Sequence, residues 1–285
     1  MDNLVHRIPH VGIVAGTAEG AALCYRTLSL EAEHAMGHRY EHPEITLHSF
    51  PLHLYLDAID RDNWRGVAAL MSHSASKLAR VGADFIICPN NTLHQAIDLV
   101  ESPLPWLHIA KPVLEEIMQH GWRRVGILGT QIVMEGSIYS HALKQRDIET
   151  VIPAGADRVR IQHMIRSELI AGRFTSDSRL FLQKVISEMA DEGVEAVILG
   201  CTELPVLLSE EQSILPMLDS TRLLARAALR YGVQGEWQPG EERETGRRCM
   251  TSFTDRVLCA DQTDMAMKAS VMRRMGFRIH GISTN

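Results

Sequence analysis

Two stretches of this chain repeat one pattern, and a repeat of that length restricts the fold to two similar lobes. Gly82-Ala83-Asp84-Phe85-Ile86-Ile87-Cys88-Pro89-Asn90-Asn91-Thr92 aligns with Gly193-Val194-Glu195-Ala196-Val197-Ile198-Leu199-Gly200-Cys201-Thr202-Glu203. Each is a glycine, an apolar strand, and then small polar or thiol residues where the strand ends. At nearly equal distances upstream stand two matching strand-turns, Val11-Gly12-Ile13-Val14-Ala15-Gly16-Thr17 and Val125-Gly126-Ile127-Leu128-Gly129-Thr130. The repeat places Asn90 and Cys201 at equivalent strand tips, where they are expected to face each other across a cleft.

The continuous apolar runs Phe85–Cys88 and Ala196–Leu199 suit strands buried on both faces. Strand-like runs near 11–15, 45–50, 84–88, 106–109, 123–128, 149–152 and 195–199 alternate with helical patterns near 18–36, 63–80, 92–101, 111–120, 132–144, 155–171, 176–192 and 219–230. This alternation predicts an α/β fold with parallel sheets covered by helices. In such sheets ligands bind outside the carboxyl ends of the strands, where both repeated motifs fall. The expected division is a first lobe at 8–105 completed by 212–232, a second lobe at 106–211, and a C-terminal extension at 233–285 that packs on the body or on a partner.

The length of 285 residues agrees with about two domains of ~150 residues. A net charge of −6 provides no broad basic field, so neither nucleic acid nor an anionic membrane is an expected partner. The five cysteines include no C-x-x-C pair, which argues against a disulfide framework and a zinc ribbon. The first residues lack an apolar signal core, and no apolar run approaches ~18 residues. The expectation is a soluble, reduced, cytoplasmic protein.

Cys201 is the leading chemical candidate. Beside backbone N–H groups at the start of the next helix, its thiolate would be favoured, suiting a base or nucleophile; packing as a small core residue is the alternative. Asn90 holds the matching place and can orient a carboxylate or stabilise an oxyanion, although Pro89-Asn90-Asn91 is also strong turn chemistry. Cys88, two residues earlier on the strand, reads as a core thiol. Asn91, Thr92 and Thr202 offer donors for a carboxylate, or ordinary helix caps. His94 and Glu203 could tune the site. Thr17 and Thr130 end the other repeated strands, but with no G-x-G-x-x-G and no Walker lysine nucleotide binding is a weak reading. The fourteen histidines show no H-E-x-x-H spacing, so no metal is expected.

Together these motifs resemble the aspartate/glutamate racemase superfamily, the cofactor-independent amino-acid racemases. The resemblance runs from about Val11 to about Ala228. It is carried by Ile198-Leu199-Gly200-Cys201-Thr202-Glu203-Leu204-Pro205, Leu128-Gly129-Thr130 and Pro89-Asn90-Asn91-Thr92-Leu93-His94, with support from His42-Pro43-Glu44, Leu107-His108-Ile109 and Met134-Glu135. It implies two pseudo-symmetric Rossmann-like lobes with the active site between them, often in a homodimer. It also implies proton transfer by two cysteines on opposite faces of the substrate, with no cofactor or metal. Here Asn90 stands in the first cysteine's position, so the chain reads as an atypical member lacking that thiol. Val133 and Leu224 stand where many members have threonine and histidine.

By this resemblance Cys201 and Asn90 are the catalytic pair. Thr17, Asn91, Thr92, Thr130, Thr202 and Glu203 bind a small acidic amino acid of the Asp/Glu class. Similar arylmalonate decarboxylases keep only the second-lobe cysteine. A decarboxylase or isomerase of a small dicarboxylic acid is therefore a rival reading, and a catalytically silent carboxylate-binding protein is another.

Overall fold

The computed structural model describes residues 8–209 and 213–233. The C-terminal extension beyond Val233, with Cys249 and Cys259, lies outside the described residues.

The first sheet contains β1 (His10–Ala15), β2 (Glu44–Ser49), β3 (Phe85–Ile87) and β4 (Trp106–Leu107), all parallel, in the order β2-β1-β3-β4. The second contains β5 (Arg124–Gly129), β6 (Glu149–Val151), β7 (Ala196–Gly200) and β8 (Met217–Asp219), again parallel, in the order β6-β5-β7-β8. The α/β expectation holds, and the two sheets share one topology. β1, β3 and β7 are buried at every residue, which is why their sequences are continuously apolar rather than alternating.

The helices in chain order are α1 (Ala18–Leu30), α2 (Ala32–Met36), α3 (Leu52–Asp60), α4 (Trp64–Arg80), α5 (Ala110–His120), α6 (Gln131–Glu135), α7 (Ser137–Lys144), α8 (Gly155–Ser167), α9 (Ser176–Asp191), α10 (Leu204–Leu207) and α11 (Ser220–Val233), with 3-10 turns at Thr92–Leu99 and Leu169–Ala171. The helix expected over 132–144 is divided at Gly136, whose extended backbone ends α6 and starts α7. Helix α3 and strand β8 have no counterpart in the sequence-based assignment.

Both faces of the first sheet are covered. Val11, Ile13, Phe85 and Ile87 pack with Cys24 and Leu28 of α1 and with Leu224, Ala225 and Ala228 of α11. On the other face Val14, Ile86 and Cys88 meet Tyr55 of α3 and Val67, Met71, Ala75 and Leu78 of α4. The second sheet has its own apolar cluster, including Val133, Tyr139 and Phe181. Of the segment expected to cross back, Met217–Asp219 pairs with β7, and α11 then packs its apolar face on the first-lobe layer. An Arg226–Glu31 ion pair, with Nε to Oε2 at 2.7 Å, joins α11 to the junction of α1 and α2.

Gly20, in the first turn of α1, marks a close approach of the lobes. A Cβ there would lie 2.6 Å from Thr202 Cγ2 and 2.7 Å from the Pro89 carbonyl oxygen. Glycine in a helix is ordinarily worse than alanine by about 1 kcal/mol, but overpacking here opposes that gain by about 1–3 kcal/mol. Gly20→Ala is therefore expected to lower stability in urea unfolding, with the midpoint falling at constant slope. Gly155→Ala, where the nearest atom is the flexible end of Arg158 at 3.8 Å, should be neutral or stabilising.

Candidate active site

Four strand tips converge between the lobes. Strand β1 delivers Thr17, β3 delivers Asn90, Asn91 and Thr92, β5 delivers Thr130, and β7 delivers Cys201, Thr202 and Glu203. All eight line one cavity, whereas His94, also considered from the sequence, does not. The tips meet in nearly two-fold fashion. Thr17 Oγ1 lies 3.1 Å from Thr202 Oγ1, and Thr92 Oγ1 lies 2.9 Å from Thr130 Oγ1. Thr17 and Thr130 also cap α1 and α6, accepting from Gly20 N at 3.3 Å and from Val133 N at 3.4 Å.

The equivalent tips differ in their freedom. Asn91 is buried, with Nδ2 donating to Ser220 Oγ at 2.9 Å and Oδ1 accepting from the Tyr139 hydroxyl. Its side chain is engaged in a tie across the lobes, although the residue lines the cavity. Asn90 Oδ1 accepts from Leu93 N at 3.2 Å, so the turn reading and the site reading of this residue coexist. Asn90 Nδ2 occupies the space a Gly16 Cβ would need, at 2.5 Å, and Gly16 thereby makes room for the amide. Beneath this loop, the buried His94 donates from Nε2 to the Cys88 carbonyl at 3.1 Å. Burial, reinforced by the nearby His108, lowers the His94 pKa to about 3. His94 therefore braces the tip as a neutral imidazole. Cys88 is fully buried in the core, and that burial pushes its thiol up to about 12.

At the second-lobe tip, Cys201 is buried and its thiol donates to Glu203 Oε2 at 3.0 Å. Thr202 Oγ1 donates to the same oxygen at 2.8 Å. Glu203 is itself 1% exposed, and its Oε1 has no hydrogen-bond partner among the described residues. The thiolate expected from the neighbouring N–H groups is not the resting form. Burial first, and the Glu203 carboxylate second, push the Cys201 thiol well above the usual range; backbone N–H groups of Glu203 and Thr202 pull the other way but are outweighed. The resting site is thus a protonated thiol hydrogen-bonded to a carboxylate, with one carboxylate oxygen unpartnered.

The cavity has a second half that the sequence reading did not identify. Leu52, Leu56 and Ile59 of α3 line it from the first lobe, and Ile132, Ile165 and Ile170 from the second. The signal was present, because positions 52, 55, 56 and 59 carry Leu, Tyr, Leu and Ile at helical spacing. Arg166 also reaches this rim, but its guanidinium is paired with Asp60, at 2.5 Å from Nη2 to Oδ1 and 3.2 Å from Nη1 to Oδ2. Val133 and Leu224 are both buried in apolar clusters. Among the described residues no group of three or more His, Cys, Asp or Glu side chains could hold a metal ion, and no helix is long and apolar enough to cross a membrane.

Comparison with known proteins agrees with this architecture. The family model for Asp/Glu/hydantoin racemases matches residues 24–228. The broad specificity amino-acid racemase RacX of Bacillus subtilis strain 168 is 29% identical over 194 residues, covering 66% of this chain and 82% of RacX. A solved structure of a candidate Asp/Glu racemase from Yersinia pestis superimposes with a TM-score of 0.72 at 30% identity, covering 79% of this chain and 100% of that one. An aspartate racemase homologue from Pyrococcus horikoshii OT3 gives 0.66 at 28% identity, covering 78% and 98%. The chain belongs to the Asp/Glu/hydantoin racemase family.

The charge of Glu203 acts directly on the thiol, so its removal has a defined sign. Glu203→Gln should move the pH midpoint for iodoacetamide alkylation of Cys201, read on its own peptide by mass spectrometry, to lower pH. Burial would still hold it above that of a free thiol. An unchanged or higher midpoint would contradict the coupling.

Proposed function

We propose that this chain moves a proton on and off the α-carbon of an amino acid, without a cofactor, using Cys201 as thiol acid and base. The observation that carries this reading is the Cys201 Sγ to Glu203 Oε2 hydrogen bond inside the interlobe cavity. In the protonating direction the thiol gives its hydrogen directly to the carbanion carbon and becomes a thiolate. In the abstracting direction the proton first passes from Sγ to Glu203 Oε2, and the thiolate then takes the α-proton. Glu203 is thereby a positioning and proton-accepting partner of the thiol.

The cavity's unpaired charge is negative. Glu203 Oε1 lacks a partner, and Arg166, the one cation among the described lining residues, is held by Asp60. That oxygen is sealed from solvent in the resting site, but the charge of Glu203 beside the cavity favours an α-ammonium group in the ligand. The α-carboxylate then falls to neutral donors, the Asn90 amide and the one hydroxyl of the Thr92–Thr130 pair whose proton is not shared, because the Thr202 proton goes to Glu203 and the Thr17 proton to Thr202. Asn90 cannot exchange a proton in the working pH range. One face of the carbon is therefore served by a proton carrier and the other by a hydrogen-bond donor.

Family membership alone favours a small acidic amino acid, whereas the lining of the cavity's far half favours another class. The single thiol also suits a decarboxylase of a malonate-type acid, which would release carbon dioxide. A dianion, however, would meet the unpaired Glu203 oxygen without a free cation. A silent binding protein would hold an amino acid unchanged in Cys201→Ala and turn nothing over.

The test is deuterium uptake at Cα in heavy water, followed by proton NMR for both enantiomers of a set of amino acids. Exchange from one enantiomer, lowered at least about hundredfold in Cys201→Ser, is expected. Absence of exchange with every amino acid would overturn the reading. Asn90→Cys places a second thiol at the opposing tip and should open exchange on the other enantiomer. Failure of the folded variant to do so would contradict the opposing arrangement.

A further inference from the structure

We infer that the cavity selects amino acids with apolar side chains, a choice that rests on the α-proton reading of the same site. Away from the strand tips the lining is mostly aliphatic, with Tyr55, Gln162 and Arg166 as its polar members. Hydroxyls, the Asn90 amide, the thiol and Glu203 come from the strand tips. Leu52, Leu56 and Ile59 project from one face of α3 in the first lobe, and Ile132, Ile165 and Ile170 come from three segments of the second lobe. A substrate anchored by its α-ammonium and α-carboxylate among the tips must send its side chain toward these six residues.

Among the described residues, the one cation that lines this part of the cavity is already paired with a carboxylate. Both terminal nitrogens of Arg166 already bind Asp60. Gln162 Oε1 accepts from Gln131 N at 2.9 Å, leaving only its amide N–H groups for a ligand. A side-chain carboxylate there would lose its hydration without gaining a free cation, and would share the cavity with the Glu203 carboxylate. An aliphatic or thioether side chain loses nothing on entry and removes apolar surface from water on both sides.

The Arg166–Asp60 pair is therefore the determinant that excludes acidic substrates, because it neutralises the guanidinium that would otherwise receive them. Its members come from different lobes, Asp60 from the end of α3 and Arg166 from α8. Asp60 is not among the cavity-lining residues, and its side chain is 57% exposed, so it can be changed without disturbing the packed wall.

Two measurements on the full chain decide the matter. The first compares Cα deuterium exchange rates of leucine and methionine with those of glutamate and aspartate, each as both enantiomers. The second measures binding of the same compounds to Cys201→Ser by titration calorimetry. The expected result is a preference of at least about tenfold for leucine or methionine in both. In Asp60→Asn, which frees the guanidinium, that preference should shrink at least about threefold. Exchange or binding that favours glutamate or aspartate would overturn the inference, and a ratio unmoved by Asp60→Asn would overturn the role given to the ion pair. Preferential binding of leucine without exchange of any amino acid would remove the proton-transfer reading and leave the selectivity standing. Exchange confined to acidic amino acids would do the reverse.

Discussion

A buried carboxylate with one oxygen satisfied and the other unpartnered sets the character of this molecule's cleft. Placing Glu203 out of water costs on the order of several kcal/mol unless donors and a counter-charge offset it. Cys201 and Thr202 supply two donors to Oε2, and nothing among the described residues serves Oε1. The thiol is protonated at rest chiefly because it is buried, and the carboxylate beside it adds to that effect. The same carboxylate can take the thiol's proton, so one short contact makes Cys201 a ready acid and a conditional base.

The carboxylate can sit there because the lobes meet closely. Glycine at position 20 allows α1 to reach Thr202 and the Pro89 carbonyl, and glycine at 16 leaves room for the Asn90 amide. The threonine pairs across the seam and the Asn91 tie to Ser220 and Tyr139 fix the four strand tips relative to one another. Topology is shared between the halves, but chemistry is not. The first-lobe tip carries an amide whose oxygen caps a 3-10 turn, and the second-lobe tip carries a thiol coupled to a carboxylate.

Much of this was legible in the sequence, for physical reasons. Strands buried on both faces must be continuously apolar, so β3 and β7 announced themselves, and the matching tips followed from the repeat. β8 was not legible: Met217-Leu218-Asp219 is three residues between a proline and a helix, too short for any period to register. Helix α3 carried a readable apolar face that the assignment left unused. The protonated state of Cys201 was misjudged because nearby N–H groups suggested a thiolate. Burial of the sulfur first, and then the Glu203 side chain folded back against it, outweigh those groups and reverse the sign. The Arg166–Asp60 pair joins residues 106 apart in sequence, and only the meeting of α3 and α8 reveals that the cavity's arginine is already engaged.

The most direct measurement is a crystal structure of Cys201→Ser with an amino acid bound. The account predicts the ligand's ammonium group on the Glu203 side of the cavity, with the α-carbon between the introduced serine hydroxyl, in the place of the thiol, and the Asn90 amide. A ligand whose carboxylate, rather than its ammonium, approaches Glu203, or whose α-carbon is out of reach of position 201, would contradict it.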